Sequence, residues 1–283
     1  MRGRVLRLTG VTACAALFTM AGCGEDDDNS ESEGGSTPKA MEISASGSGK
    51  KITMTAPASV PGGLTRITFR NSAKQPLGPQ LVRVEGQHSL AEVAKAGSAW
   101  GDKGKPLPSW MRLEGGAPRS VPGQTSTATQ VLRPGKYYAF DIETNSAAAF
   151  EVKGGDRGGR LPDAPGGTVT ASEYKFETSD LKTGKQPVLF ENVGKEPHFM
   201  VALPIKQGKT IADVRKFIKT EKGEEPIDEK GAVDTPVLEG GGRQVAELNL
   251  KRKGKYALLC FIPDRKGGPP HVAKGMVSEA TVR

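Results

Sequence analysis

The stretch YALLCFIPDRKGGPPHVAKGM, residues 256–276, decides how this chain is read. Its first part alternates, so Tyr256, Leu258 and Cys260 share one face of an extended strand. Asp264 to Pro270 is a Gly/Pro-rich excursion that cannot continue that strand, and the chain returns at His271 with Met276 close behind. Upstream, NVGKEPH (192–198) is a turn that delivers His198 to the start of a second alternating run. There His198, Met200 and Ala202 fall on one face, and Phe199, Val201 and Leu203 on the other.

An internal repeat extends this reading to the rest of the body. NSAKQP (71–76) matches NVGKEP (192–197), and in the same register Phe69 falls on Phe190 and SLAEVAK (89–95) on TIADVRK (210–216). LRPGKY (132–137) matches LKRKGKY (250–256) with one residue inserted. The Gly/Pro/charge-rich segment 154–167 separates the copies as a linker, giving domains at 41–153 and 168–283. Each copy consists mostly of short strands punctuated by Gly, Pro and Asn at sandwich-like spacing. One short helix per copy interrupts them, opened by the capping patterns Ser89-x-x-Glu92 and Thr210-x-x-Asp213. The expectation is an all-β chain of two tandem Greek-key β-sandwiches, each with one inserted helix.

The N-terminus reads as an export signal over 1–22. Arg2, Arg4 and Arg7 precede a short apolar stretch, Val11 to Met20, too short to span a bilayer. It closes on Met20-Ala21-Gly22-Cys23, similar to a bacterial lipoprotein cleavage box, so Cys23 is the expected lipidated residue. An ordinary secretory signal with an incidental cysteine is the plainer alternative. Residues 23–40 form an acidic, then Gly/Ser-rich, disordered tether. The expected location is extracytoplasmic, lipid-anchored to the bacterial cell membrane. Because six acids crowd the tether, the folded body is more basic than the formal net charge of +8. A basic body suits an acidic partner or an anionic surface, and it also serves solubility. Nucleic acid is not implied: no basic helix stands out, and aromatics make up 5% of the chain.

Of three cysteines, two lie within the first 23 residues, so the body keeps Cys260 alone and cannot form an internal disulfide. One role left to it is that of a small buried hydrophobe. Another follows from the order His198, Cys260, His271, Met276. A thiolate and two imidazoles with a distant thioether suit copper in both oxidation states, because imidazole tolerates Cu(II) and soft sulfur favours Cu(I).

On these residues the second copy resembles the cupredoxins, the plastocyanin-like blue-copper proteins; by the repeat the same fold extends to the first. The resemblance implies His198, Cys260 and His271 as the strong ligands and Met276 as the weak axial one. It also implies electron entry at an exposed edge of His271. The ten residues between Cys260 and His271 exceed the family's usual loop and place a basic tip there, suited to an acidic redox partner. Loop closure costs little extra for such a length. Gly275 is expected to permit a close backbone approach. In the first copy Leu77 replaces the first histidine and Asp141 the cysteine, so that domain is expected to be metal-free. Trp100 and Trp110 are expected to anchor its long connection, His88 to be an exposed loop residue, and Asp264 and Glu196 to be merely solvated.

The resemblance implies a membrane-tethered type 1 copper protein that carries single electrons and is not an enzyme. Copper capture or delivery, and a metal-free binding module, are the alternatives. No Ser–His–acid set or phosphate loop is present, and three histidines are too few for a multicopper oxidase cluster.

Overall fold

The computed structural model describes residues 37–49, 51–155 and 159–283. The export segment, Cys23 and nearly all of the tether lie outside the described residues. The first strand, Lys39–Ser48, takes in two residues assigned above to the tether, and Ser146–Gly155 takes in the first two of the linker.

Strands dominate, with two α-helices among the described residues, α1 (Leu90–Gly101) and α2 (Ile211–Thr220). In the N-terminal half, one layer pairs Lys51–Thr55, Lys39–Ser48, Ser59–Ala73 and Thr125–Leu132 in that order. The facing layer runs Ser146–Gly155, Gly135–Asp141, Gln80–Val84, Met111–Gly116. The long strand Ser59–Ala73 serves both layers, its first residues crossing to Ser146–Gly155 at a register shift between Pro61 and Gly62. Glycine is needed there: a Cβ on Gly62 would stand 2.3 Å from the Gly154 carbonyl oxygen. The C-terminal half repeats the plan. One layer is Lys175–Ser179, Thr168–Ser172, Gly184–Asn192, Arg243–Leu250; the other is Val233–Asp234, Val201–Pro204, Gly254–Leu259, Val277–Val282. Each half is a Greek-key sandwich, as the sequence leads one to expect.

Residues matched by the repeat make matching hydrogen bonds. Asn71 Nδ2 donates to the carbonyls of Gln75 and Ser120, and Asn192 Nδ2 to those of Glu196 and Leu238. The hydroxyl of Tyr137 donates to the Arg133 carbonyl and that of Tyr256 to the Arg252 carbonyl.

Both helices start at the expected caps, Ser89 and Thr210, each with a complete capping box. The placement of α2 explains why Tyr256 to Leu259 is an unbroken apolar run. Tyr256, Leu258 and Cys260 face the sandwich core with Val188, Phe190 and Met200. Ala257 and Leu259 face outward into a second cluster with Val214 of α2 and Val277. A strand covered on both faces needs no polar alternation. In the N-terminal half, α1 buries Val93 and Trp100 against Val82, Leu113 and Phe140 in the same manner.

The two halves share more than a linker. Arg243–Leu250 pairs antiparallel with Thr125–Leu132, so one sheet continues through both. Gln80 and Val237 exchange two hydrogen bonds, and Arg119 pairs with Asp234. His88 is not the exposed loop residue expected: its ring stacks on Trp110 at 3.7 Å. Two flat rings in a half-buried loop gain more from each other than from water.

Candidate metal centre

Three segments converge at one end of the C-terminal sandwich. His198 is delivered by the Asn192 turn, and its backbone exchanges two hydrogen bonds with Leu238. Cys260 directly follows the strand Gly254–Leu259. His271 opens a single 3-10 turn, His271–Lys274, which ends at Gly275. Gly275 has φ 96°, and a Cβ there would meet nothing within 4 Å. Its glycine is therefore required by the left-handed backbone, not by the close approach expected from sequence. That turn lets the Met276 amide donate to the His271 carbonyl at 2.9 Å.

The ten-residue excursion is a closed loop. Val272 N–H donates to the Cys260 carbonyl and His271 N–H to that of Ile262, both at 2.9 Å. These bonds cinch its base and set His271 beside Cys260.

The ligating atoms of His198, Cys260 and His271 lie within 4.8 Å of one another. Cys260 Sγ is 3.9 Å from His198 Nδ1 and 3.4 Å from His271 Nδ1. The two imidazoles meet edge to face, centroids 4.7 Å apart. All three side chains, and Met276 with them, have no solvent exposure. Met276 belongs to the same apolar cluster as Cys260. The amides of Phe199 and Ile262 donate hydrogen bonds to the sulfur.

Burial governs the protonation of these groups. It pushes the Cys260 thiol up to about 12, against the two amide donors. It lowers His198 to about 4, helped by the nearby His271. It also holds His271 below the usual imidazole range, although Asp264 works in the opposite direction. Near neutral pH the metal-free centre is one thiol and two neutral imidazoles. Neutral imidazoles can bind a metal without first losing a proton, and the thiol must lose one.

The outer side of His271 differs from what sequence suggests. Its Nε2 is 3.0 Å from Asp264 Oδ1 and its ring is sealed from solvent. With Nδ1 turned to the sulfur, Nε2–H donates to the carboxylate, which fixes the tautomer. The same carboxylate accepts from the Tyr174 hydroxyl and from Lys274. Burial works to raise Asp264, but these partners outweigh it and hold the carboxyl below its ordinary value.

The excursion is no free basic tip. Arg265 turns inward, where its guanidinium donates to the carbonyls of Pro108 (2.8 Å) and Met111 (2.6 Å) and pairs with Glu239. Lys266 alone of its two basic residues is exposed. Glu196 accepts from the Arg265 amide at 2.6 Å. Asp264 and Glu196 are thus structural neighbours of the centre, where sequence reading gave them no role. No periodicity or spacing marks either one, because both act through contacts across distant segments.

In the N-terminal half, Leu77 is buried in the position equivalent to His198, its backbone paired with Ser120 as His198 is with Leu238. Asp141, in place of Cys260, caps a turn by accepting from the amides of Gly78 and Thr144. Among the described residues the one cluster of three potential donors is His198, Cys260 and His271.

A scan against protein-family models gives no match, and a search of curated proteins gives none. Solved structures do match. Reduced auracyanin from the photosynthetic bacterium Roseiflexus castenholzii is 21% identical over 41% of this chain and 94% of that one, with TM-score 0.26. Auracyanin B is 20% identical over 41% of this chain and 86% of that one, also at 0.26. A multicopper oxidase is 13% identical over 86% and 88%, at 0.23. Likenesses this distant support nothing by themselves. The donor chemistry is what fits: one thiol and two neutral imidazoles, buried, aimed at one point and backed by hydrogen bonds, as a type 1 copper ion requires.

Proposed function

We propose that this chain is an exported, lipid-anchored blue copper protein that carries single electrons. Copper would be held by Nδ1 of His198 and His271 and by the Cys260 thiolate, with Met276 as the weak fourth ligand. When bound, the ion supplies the one-electron couple; the chain's residues keep it dry and in place. The observation that carries this reading is the convergence of three fully buried donors from segments distant in sequence. Burying a thiol and two imidazoles is costly without a ligand to compensate.

The loop favours electron carriage over copper delivery. Exchange of the ion needs the Cys260–His271 loop to open, and that loop is cinched at its base and clamped by Arg265 and Glu239. A rigid cage limits rearrangement as the charge changes, which suits repeated electron transfer. An extracytoplasmic place follows from the reading of residues 1–23, and no helix among the described residues is long and apolar enough to cross a membrane. With Lys266 exposed and the body basic, an acidic redox protein is the partner this reading favours. Catalysis by the chain alone is not part of it, since the third histidine, His88, is taken up by Trp110.

Voltammetry of the copper-loaded protein tests the proposal. One ion per chain, cycling reversibly between two states without loss, is the expected result. Release of the ion on each reduction or oxidation would point to delivery, and no uptake in either state would leave a binding module.

A further inference from the structure

The N-terminal half lies against the loop between Cys260 and His271 and touches Asp264, Arg265, Gly267 and Gly268. Trp100 Nε1 donates to the Asp264 carbonyl at 2.8 Å. Leu107 N–H donates to the Arg265 carbonyl at 2.8 Å, and Gly268 N–H to that of Gly104 at 2.9 Å. The backbones touch: a Cβ on Gly267 would stand 2.2 Å from the Gly104 oxygen. Arg265 reaches back to Pro108 and Met111, and Glu239, its partner, accepts from the Leu113 amide at 3.2 Å. Asp264 is therefore held by its main chain from the N-terminal half while its carboxylate holds His271 Nε2.

We propose that the N-terminal half is the outer shell of the metal centre, fixing Asp264 through Trp100 so that Asp264 acts as the positioning residue for His271. The proposal rests on the copper reading above for its electrochemical consequence, though the positioning itself does not need the ion. A ten-residue loop left free would let His271 sample many orientations, and ordering its backbone carries an entropic cost. Cinching the base fixes where the loop starts and ends. Contacts with the other half fix what lies between, and they reach the ring through a single carboxylate. That carboxylate also carries charge. A negative group bonded to a ligand stabilises the more positive ion, so it favours Cu(II) over Cu(I) and lowers the potential.

The test uses the full chain and four variants. Asp264→Asn keeps the shape and an acceptor but removes the charge, Asp264→Ala removes both, and Trp100→Phe keeps the ring but not its N–H. Trp110→Phe, at a tryptophan that stacks on His88 and makes no bond to Asp264, is the control. In the copper-loaded protein, Asp264→Asn is expected to weaken Cu(II) binding about tenfold relative to Cu(I), raising the potential by about 59 mV. Trp100→Phe should shift it in the same direction by less and broaden the thiolate-to-copper band; Trp110→Phe should change neither. In the metal-free protein, nitrogen NMR of His271 should report the Nε2–H tautomer, with mixed tautomers in Asp264→Ala and Trp100→Phe. Unchanged potential, band and tautomer in the Asp264 and Trp100 variants would overturn the proposal, even if their thermal midpoints fell. A wild-type protein that binds no copper yet holds the Nε2–H tautomer, lost in Asp264→Ala, would sink the copper reading and leave the positioning role standing.

Discussion

His198→Leu in the metal-free protein offers a sharp physical test of how the centre is buried. His198 is fully enclosed, its Nε2 has no partner among the described residues, and burial lowers it to about 4 from a reference of 6.5. A folded-state value below the unfolded one means the unfolded chain takes up the proton first. The neutral imidazole's contribution is therefore fully present above about pH 6.5 and is lost as pH falls toward 4. At pH 4.5 that difference amounts to about 2–3 kcal/mol. In a chain of this size it corresponds to a fall in thermal midpoint of roughly 5–10 °C. His271, also lowered by burial, adds in the same sense, while Glu239, which burial holds above the usual carboxylate range, opposes it. Both persist in the variant, so the difference between the two proteins reads His198 together with its coupling to His271. Leucine is the informative replacement because Leu77 already fills the equivalent position in the N-terminal half. Thermal unfolding of both metal-free proteins at pH 7.5, 6 and 4.5 is the assay. The variant should match or exceed the parent at pH 7.5 and lose several degrees less at pH 4.5. Parallel pH profiles would refute the burial argument.

Three further outcomes are expected. Leu77→His should bind no second copper, since Asp141 supplies no thiolate, and should cost about 1–3 kcal/mol through an unpaired buried imidazole; metal titration followed by thermal unfolding checks both. Gly275→Ala should destabilise by about 1–2 kcal/mol from backbone strain alone, because the space around it is open, and denaturant unfolding reads this directly. Arg265→Ala should cost roughly 3 kcal/mol by leaving Glu239 without its cation between the halves, and a second change, Glu239→Gln, should recover part of the lost midpoint.

The parts of this structure that sequence made legible are those set by local pattern. Alternation in 198–203 and 256–260 placed His198 and Cys260 on the core faces where they are found. Ser89 and Thr210 marked both helices because a capping box is local chemistry, complete within four residues. The donor set was legible because each donor is a rare residue beside a turn. What sequence could not give is how the halves sit together. The excursion 264–270 reads as a basic, exposed tip when only its composition is considered. Its actual state depends on Glu239, Pro108 and Met111, none of which lies near it in the chain. The same distance hid Asp264, whose role comes from its proximity to His271 Nε2 and Trp100 and from nothing in its neighbours' spacing. Likewise the exposed histidine edge implied by the family resemblance gives way to a ring sealed by Asp264 and the packed loop.

The central claim is that Cys260 and two imidazoles bind one copper ion, and the visible spectrum of the full chain loaded with Cu(II) tests it most directly. An intense thiolate-to-copper charge-transfer band in the red, at one copper per chain and abolished in Cys260→Ser, is predicted. A pale spectrum without that band, or one that survives the loss of the Cys260 sulfur, would contradict it.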